Sequence, residues 1–370
     1  MLPIAFDAKR AFDNRTGLGN YSRTLLTSLA RHRPKLGLTL YAPRPPRFAE
    51  AQAWVAELAR HPQVRTVVPN TPKIGAALWR TLQMGPRAAT DGARIFHGLS
   101  AELPRRLPAA VKAVVTVHDL IFWRFPHLFP AVDRWFYRQK LAYACRRADA
   151  IVCISEATRA ELLELVSGEL AGKTSVIYQS AEARAARRPL VESAPDGPAR
   201  LLYVGALTER KNVATVLRAL RALTDIDFQL DIIGAGPEAP ALATLAADAT
   251  LRGRVRLRGH VSDGELATAL AEATALVYPS TAEGFGIPIL EALLAGLPVV
   301  ASNGSSLPEA GGDAALYCPP TDEGAWAEAL RTVLTDEETR IPMRVRGYRY
   351  AERFAPEKIA AEWAALYGGM

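Results

Sequence analysis

Residues 280–302 read "STAEGFGIPILEALLAGLPVVAS". The apolar run "ALVYP" leads in and "VVAS" leads out, both of strand length. Between them, "IPILEALLA" reads as a helix. Pro288 suits its first turn, where a missing N–H costs nothing, and Gly296-Leu297-Pro298 stops it. Strand, glycine turn, helix, strand is the repeating unit of a doubly wound α/β sheet. The turn Gly284-Phe285-Gly286-Ile287 aims backbone N–H groups beyond the strand's carboxyl end. With the helix dipole, these make an anion site suited to phosphate, and glycine lets the ligand come close. Glu283 and Glu291, eight residues apart around this turn, would repel a phosphate. They are better read as acceptors for paired hydroxyls of a ribose or a sugar ring. The plainer alternative is that Glu291 only complements the helix N-terminus. The complete strand–turn–helix context favours function.

The same alternation runs through the chain. "PIAFDAK", "LTLYAP", "VRTVVP", "RIFHG", "AVVTVHD", "AIVCIS" and "TSVIYQ" read as strands in the first half, with helices such as "GNYSRTLLTSLARH" and "VDRWFYRQKLAYACRRA" between them. Residues 181–199, rich in Ala, Arg, Pro and Gly, read as a linker. Five strand–helix units follow, and "PEKIAAEWAALYG" near the end looks amphipathic. A chain of 370 residues exceeds one typical core, so two α/β domains are expected, at 1–180 and 200–349.

No apolar run approaches the ~20 residues of a membrane span, and the N-terminus lacks an export signal, so a cytoplasmic location is expected. Cys145, Cys153 and Cys318 form no metal or disulfide pattern and read as buried thiols. No metal site is expected. Residues 1–180 carry 26 Lys and Arg against 13 Asp and Glu, while the remaining 190 carry 19 against 25. A basic first half suits an anionic partner such as a membrane surface, or a merely solvated arginine-rich face.

Other loops point the same way. In "YVGALTERKN" a strand ends at Gly205, and Asn212 can cap the next helix. Arg210 and Lys211 between them could neutralise a departing diphosphate. Gly234 and Gly236 read as a tight turn. His260 and Val261 stand near the same edge, where their backbone would flank a nucleobase. In the first half, Gly17-Leu18-Gly19 opens a helix as a second anion-facing turn. His118 ends a strand, as a ligand for a sugar hydroxyl, a proton carrier or a structural histidine. His97 has the same geometry and a weaker case.

These residues carry a family resemblance. "EGFGIPILE" resembles the E-x7-E motif of retaining glycosyltransferases of family 4, which have the two-domain GT-B fold. "VGALTERKN", "GAGPE", "GHVSDGEL" and "SSLPEAGGDAAL" agree with it, and "TGLGNYSRTLL" and "VTVHDLIF" resemble a bacterial polysaccharide subgroup with many mannosyltransferases. The resemblance implies two Rossmann-like domains facing a central cleft, with a last helix, about 350–370, crossing back to the first domain. It implies a nucleotide-sugar donor, with GDP-mannose favoured, in the second domain. The acceptor, a saccharide or lipid-linked glycan, would sit in the first domain, with no separate cofactor and no metal. Glu291 would bind the ribose, Glu283 the donor sugar, and Phe285, Gly286 and Ile287 the phosphates. Arg210 and Lys211 would grip the diphosphate beside Gly205, His118 would touch the sugar, and Gly17 and Gly19 would close over the diphosphate. Two positions depart from the family pattern: Ala206 replaces an arginine common in relatives, and Tyr178-Gln179-Ser180 stands where relatives carry Pro-Asn-Gly.

Rival readings are a metal-dependent GT-A transferase, prompted by Asp225-Ile226-Asp227, and a sugar phosphorylase or epimerase on the same fold. A nucleic-acid-binding protein is not expected, because the basic half lacks a recognition helix, RNP aromatics or zinc fingers.

Overall fold

The computed structural model describes residues 1–70, 75–185 and 197–370. These divide into two compact units: Met1–Ser180 with Phe354–Met370, and Ala181–Arg353. The middle of the expected linker, 186–196, lies outside the described residues.

Unit 1 holds seven strands: β1 (Leu2–Asp7), β2 (Leu36–Tyr41), β3 (Val64–Val67), β4 (Ile95–Gly98), β5 (Lys112–Val117), β6 (Ala150–Cys153) and β7 (Thr174–Val176). They form one parallel sheet in the order β3-β2-β1-β4-β5-β6-β7, with register fixed by pairs such as Ala5↔Thr39 and Ala5↔Phe96. β4 and β6 are buried along their whole length. This explains the unbroken apolar sequence of β6, since a parallel sheet is covered on both faces. The helix Pro356–Gly368 packs on the helix Gly17–His32, burying Ile359, Trp363 and Tyr367. Cys145, Cys153 and Cys318 are buried free thiols.

Unit 2 holds β8 (Ala199–Val204), β9 (Phe228–Ile233), β10 (Val255–Gly259), β11 (Ala275–Tyr278), β12 (Val299–Ser302) and β13 (Ala315–Cys318), in the order β10-β9-β8-β11-β12-β13. β13 is a sixth strand that the five-unit sequence reading lacks. It has four residues, three of them half-buried, so it shows neither alternation nor a long apolar run. The helix Glu337–Ala351 is a second omission. Its sequence is arginine-rich and interrupted by Pro342, which conceals its periodicity.

In both sheets the strand order reverses once, between β1 and β4 in unit 1 and between β8 and β11 in unit 2. Ligands of open α/β sheets bind beyond the carboxyl ends of the strands at such a point. In unit 2 the loops after β8 and β11 are 205–212 and 279–286, which contain the residues singled out from the sequence.

Candidate active site

The turn after β11 is built from the residues quoted at the outset. Gly286 precedes the helix Ile287–Ala295 with φ +140°, a backbone region that side chains rarely enter. Phe285 is buried, so only its backbone can serve a ligand. Ser306 Oγ lies 2.9 Å from the carbonyls of both Glu283 and Phe285, and Ser305 Oγ donates to the Glu283 carbonyl at 2.6 Å. These two serines lock the turn. Gly296 ends the helix in the left-handed region, φ +75°.

Glu283 and the cations of the β8 loop come together. Arg210 Nη1 lies 2.9 Å from Glu283 Oε2, and Lys211 Nζ is in direct contact with Oε1. Ser280 Oγ donates to Oε1 at 2.6 Å, and Lys211 Nζ donates to the Tyr278 hydroxyl at 2.8 Å. Burial pushes the Glu283 carboxyl up, but Lys211 and Arg210 outweigh it and hold the carboxyl below its ordinary range. Burial, then the Glu283 charge, raises Tyr278 well above the usual phenol range. The cluster is thus two cations and one carboxylate, nearly dry, at the N-terminus of a helix.

Glu291 lies one helix turn further on and is 9% exposed. Its partner was not legible in the sequence: Arg184 Nε approaches its Oε1 at 2.5 Å, while Arg184 Nη1 pairs with Asp263 at 2.9 Å. Burial outweighs Arg184, so the Glu291 carboxyl is raised above its ordinary value. The expected linker therefore contributes a site residue. Asp263 follows His260 and Val261, which leave the end of β10, the histidine exposed. Gly205 ends β8 beside Gly234, whose Cβ, if present, would lie 1.8 Å from the Gly205 carbonyl. Gly234 and Gly236 are thus glycines because the β8 and β9 loops touch.

One reading needs correcting, and two alternatives left open by the sequence are decided. Asn212 stands at the helix start but in the left-handed region, and its carboxamide accepts from the Thr215 hydroxyl rather than from a backbone N–H. Its amide donates instead to the carbonyls of Pro279 and Pro320, tying the β8 loop to β11. Asp225 forms a two-pronged ion pair with Arg331 at 2.6 and 2.9 Å, which accounts for half of the D-x-D on the protein surface. His97 is fully buried. It bonds Thr116 at 2.8 Å and Tyr367 at 2.7 Å and lies against Trp363, which makes it a core histidine.

In unit 1, His118 is 8% exposed at the end of β5, edge-on to Tyr21 at 4.6 Å between ring centroids. Tyr21 belongs to the helix that Gly17 and Gly19 begin, so the structure brings these three readings together. His118 Nε2 lies 2.8 Å from the Leu99 carbonyl. A carbonyl only accepts, so Nε2 carries the proton and Nδ1 is left as an acceptor. Burial lowers its pKa to about 4, which keeps the ring neutral. The Gly19 N–H is directed inward, to Thr16 O at 2.9 Å and Asn14 Oδ1 at 3.3 Å, and a Cβ there would meet the Asn14 carbonyl. Gly19 therefore shapes the helix start, while Gly17 is exposed with open space around it.

Residues 189–351 match the family Glycosyl transferases group 1, and residues 15–180 match Glycosyltransferase Family 4. The chain is 34% identical to O-antigen chain mannosyltransferase B of Escherichia coli, over 74% of this chain and 74% of the relative. It is 27% identical to O-antigen chain mannosyltransferase RfbU of Salmonella typhimurium, over 70% of this chain and 71% of the relative. Among solved structures, Anabaena Alr3699/HepE in complex with UDP and glucose aligns with a TM-score of 0.73 at 18% identity, covering all of both chains.

Proposed function

Because the chain belongs to the glycosyltransferases of the GT-B fold, we propose that it transfers a hexose, with mannose favoured, from a nucleoside diphosphate sugar to a saccharide or lipid-linked saccharide in bacterial surface-polysaccharide synthesis. The observation that carries this is the dry Arg210–Lys211–Glu283 cluster at the N-terminus of the 287–295 helix. The mannosyltransferase names of two relatives support the sugar, and the UDP and glucose in a structural neighbour support the donor class.

In this mechanism unit 2 holds the donor. Glu291 accepts hydrogen bonds from the ribose hydroxyls, with Arg184 holding its carboxylate in place. The backbone of His260 and Val261 flanks the base. Phe285, Gly286 and Ile287 offer N–H groups to the phosphates, and Glu283 orients the donor sugar's hydroxyls. As the bond from the anomeric carbon to phosphate breaks, Arg210 and Lys211 take up the negative charge developing on the diphosphate. Both stand beside the Gly205 turn and are already desolvated, so little reorganisation is needed. The acceptor oxygen bonds to the anomeric carbon on the same face, and its proton passes to the departing phosphate oxygen. The configuration is retained without a protein nucleophile, metal or further cofactor. In unit 1, neutral His118 offers Nδ1 to a sugar hydroxyl, near the helix start where Gly17 leaves open space. The basic first half suits peripheral contact with an anionic membrane at the cytoplasmic face. No helix among the described residues is long and apolar enough to cross one.

A melting-temperature panel of GDP, UDP, ADP and dTDP, each with Mg²⁺ or EDTA, tests the reading. One nucleotide, at about a hundred times its Kd, should raise melting by roughly 5–10 °C, equally in EDTA. Failure of every nucleotide to stabilise the chain would remove the donor site.

A further inference from the structure

The other strand-order reversal, in unit 1, carries chemistry of its own. A cavity of about 690 Å³ opens beyond β1 and β4, lined among the described residues by unit 1. Part of its wall is a closed ion network: Arg80 Nη2 pairs with Asp7 at 2.6 Å and Nη1 with Glu102, which Lys140 also approaches at 3.2 Å. Arg10 also reaches Glu102 at 3.8 Å, so three cations surround these two carboxylates and both carboxylates are fully engaged.

Besides Arg44, three further cations line the cavity: Lys9, Arg47 and Arg105. None has a carboxylate oxygen within 4.0 Å among the described residues. Burial, and then the charge of Arg80, lower the Lys9 ammonium from its ordinary value, so an arriving anion would stabilise it. Arg105 is held against the Tyr143 ring, 4.1 Å from its centroid, which orients its fork. On the same wall, Asp13 Oδ1 is buried with no hydrogen-bond donor among the described residues. Trp135 and Phe136 also line the cavity, yet remain 58% and 50% exposed. Large exposed rings on a cavity rim mark a contact surface.

We propose that this cavity binds an acceptor saccharide that carries a phosphate group. Lys9, Arg47 and Arg105 take the phosphate, Asp13 accepts from a sugar hydroxyl, and Trp135 with Phe136 cover a ring face. The inference rests on the transferase reading and adds the acceptor's chemical class. The phosphate can belong to a soluble glycosyl phosphate or to a membrane-borne polyprenyl glycosyl phosphate.

The full chain is titrated calorimetrically with N-acetylglucosamine 1-phosphate and with its neutral methyl glycoside. It is also sedimented with phosphatidylcholine vesicles containing or lacking a polyprenyl glycosyl phosphate. The phosphorylated sugar should bind at least about tenfold more tightly than the neutral one, with the advantage shrinking as salt rises. Preference for the loaded vesicles, with no binding of the soluble sugar, assigns the phosphate to the lipid-borne source. Binding of both shows that the phosphosugar head suffices. Arg47 and Arg105 are exposed, so R47A/R105A should fold. It should lose about tenfold or more in phosphosugar affinity while keeping its nucleotide-induced melting shift. Equal affinity for phosphorylated and neutral sugars, or a variant that binds like the parent, overturns the proposal. If those results come with a normal nucleotide shift, the transferase reading stands and only the acceptor class falls; absence of that shift in the parent chain strikes the transferase reading itself.

Discussion

Lys211 Nζ donates to both Glu283 and Tyr278, and its ammonium lies 5.0 Å from the centre of the Tyr278 ring. With the residue 9% exposed, deleting it leaves the buried Glu283 charge with Arg210 as its remaining cation. The variant Lys211→Met should therefore destabilise unit 2 by about 3 kcal/mol, because Glu283 keeps its charge and loses its main partner. Adding Glu283→Gln removes that charge. The double variant should regain most of the stability, while sugar transfer stays at least about a hundredfold down because the proposed leaving-group cation and donor-sugar carboxylate are both gone. Urea unfolding and a transfer assay separate the two effects. Recovery of transfer along with stability would make Lys211 a structural residue only.

The element that organises the donor side is the β11–turn–helix unit. Its strand ends in Tyr278, Ser280 closes on Glu283, and the helix 287–295 buries Ile289, Leu290 and Leu293. The turn tolerates no side chain at Gly286: φ is +140°, and a Cβ would come 3.0 Å from Ala310 and 3.1 Å from Leu307. In Gly286→Ala the backbone must rotate or the neighbouring helix must yield, at a cost of about 1–3 kcal/mol. Either movement displaces the N–H groups proposed to meet the phosphates. Nucleotide affinity, measured by calorimetry, should fall at least about tenfold. Unchanged affinity would mean that the phosphates lie elsewhere.

Across the molecule, the two units should respond differently to acid. Unit 1 buries two neutral histidines. Burial, and then His118, hold His97 at about 3, while burial holds His118 at about 4. Unfolded imidazoles titrate near 6.5. Below that pH the unfolded chain takes up protons that the folded unit refuses, so stability is complete above pH 6.5 and declines as pH falls towards about 4. Each histidine contributes a slope of up to about 1.4 kcal/mol per pH unit. His97→Gln/His118→Gln should flatten the decline of the unit 1 unfolding transition between pH 6.5 and 5. An equally steep decline in the double variant would assign it to other groups.

The two parallel sheets and the turn after β11 were legible because each is written locally. Strand and helix periods, a proline at a helix start and a glycine at its end act within a few residues. The strands β1 to β12 are where their apolar runs place them. β13 was not legible, because four residues, three half-buried and one buried, leave no period to read. What lay beyond the sequence was contact between distant segments. Arg184 meets Glu291 across 107 positions, Tyr367 meets His97 across 270, and Ser305 and Ser306 lock a turn more than twenty positions away. Such partners are chosen by how helices and strands stack, and no local spacing encodes them. The same holds for His97 and His118. They are alike in sequence, each at or near the carboxyl end of a strand, yet the C-terminal helix seals one into the core and leaves the other beside Tyr21 at the sheet's edge.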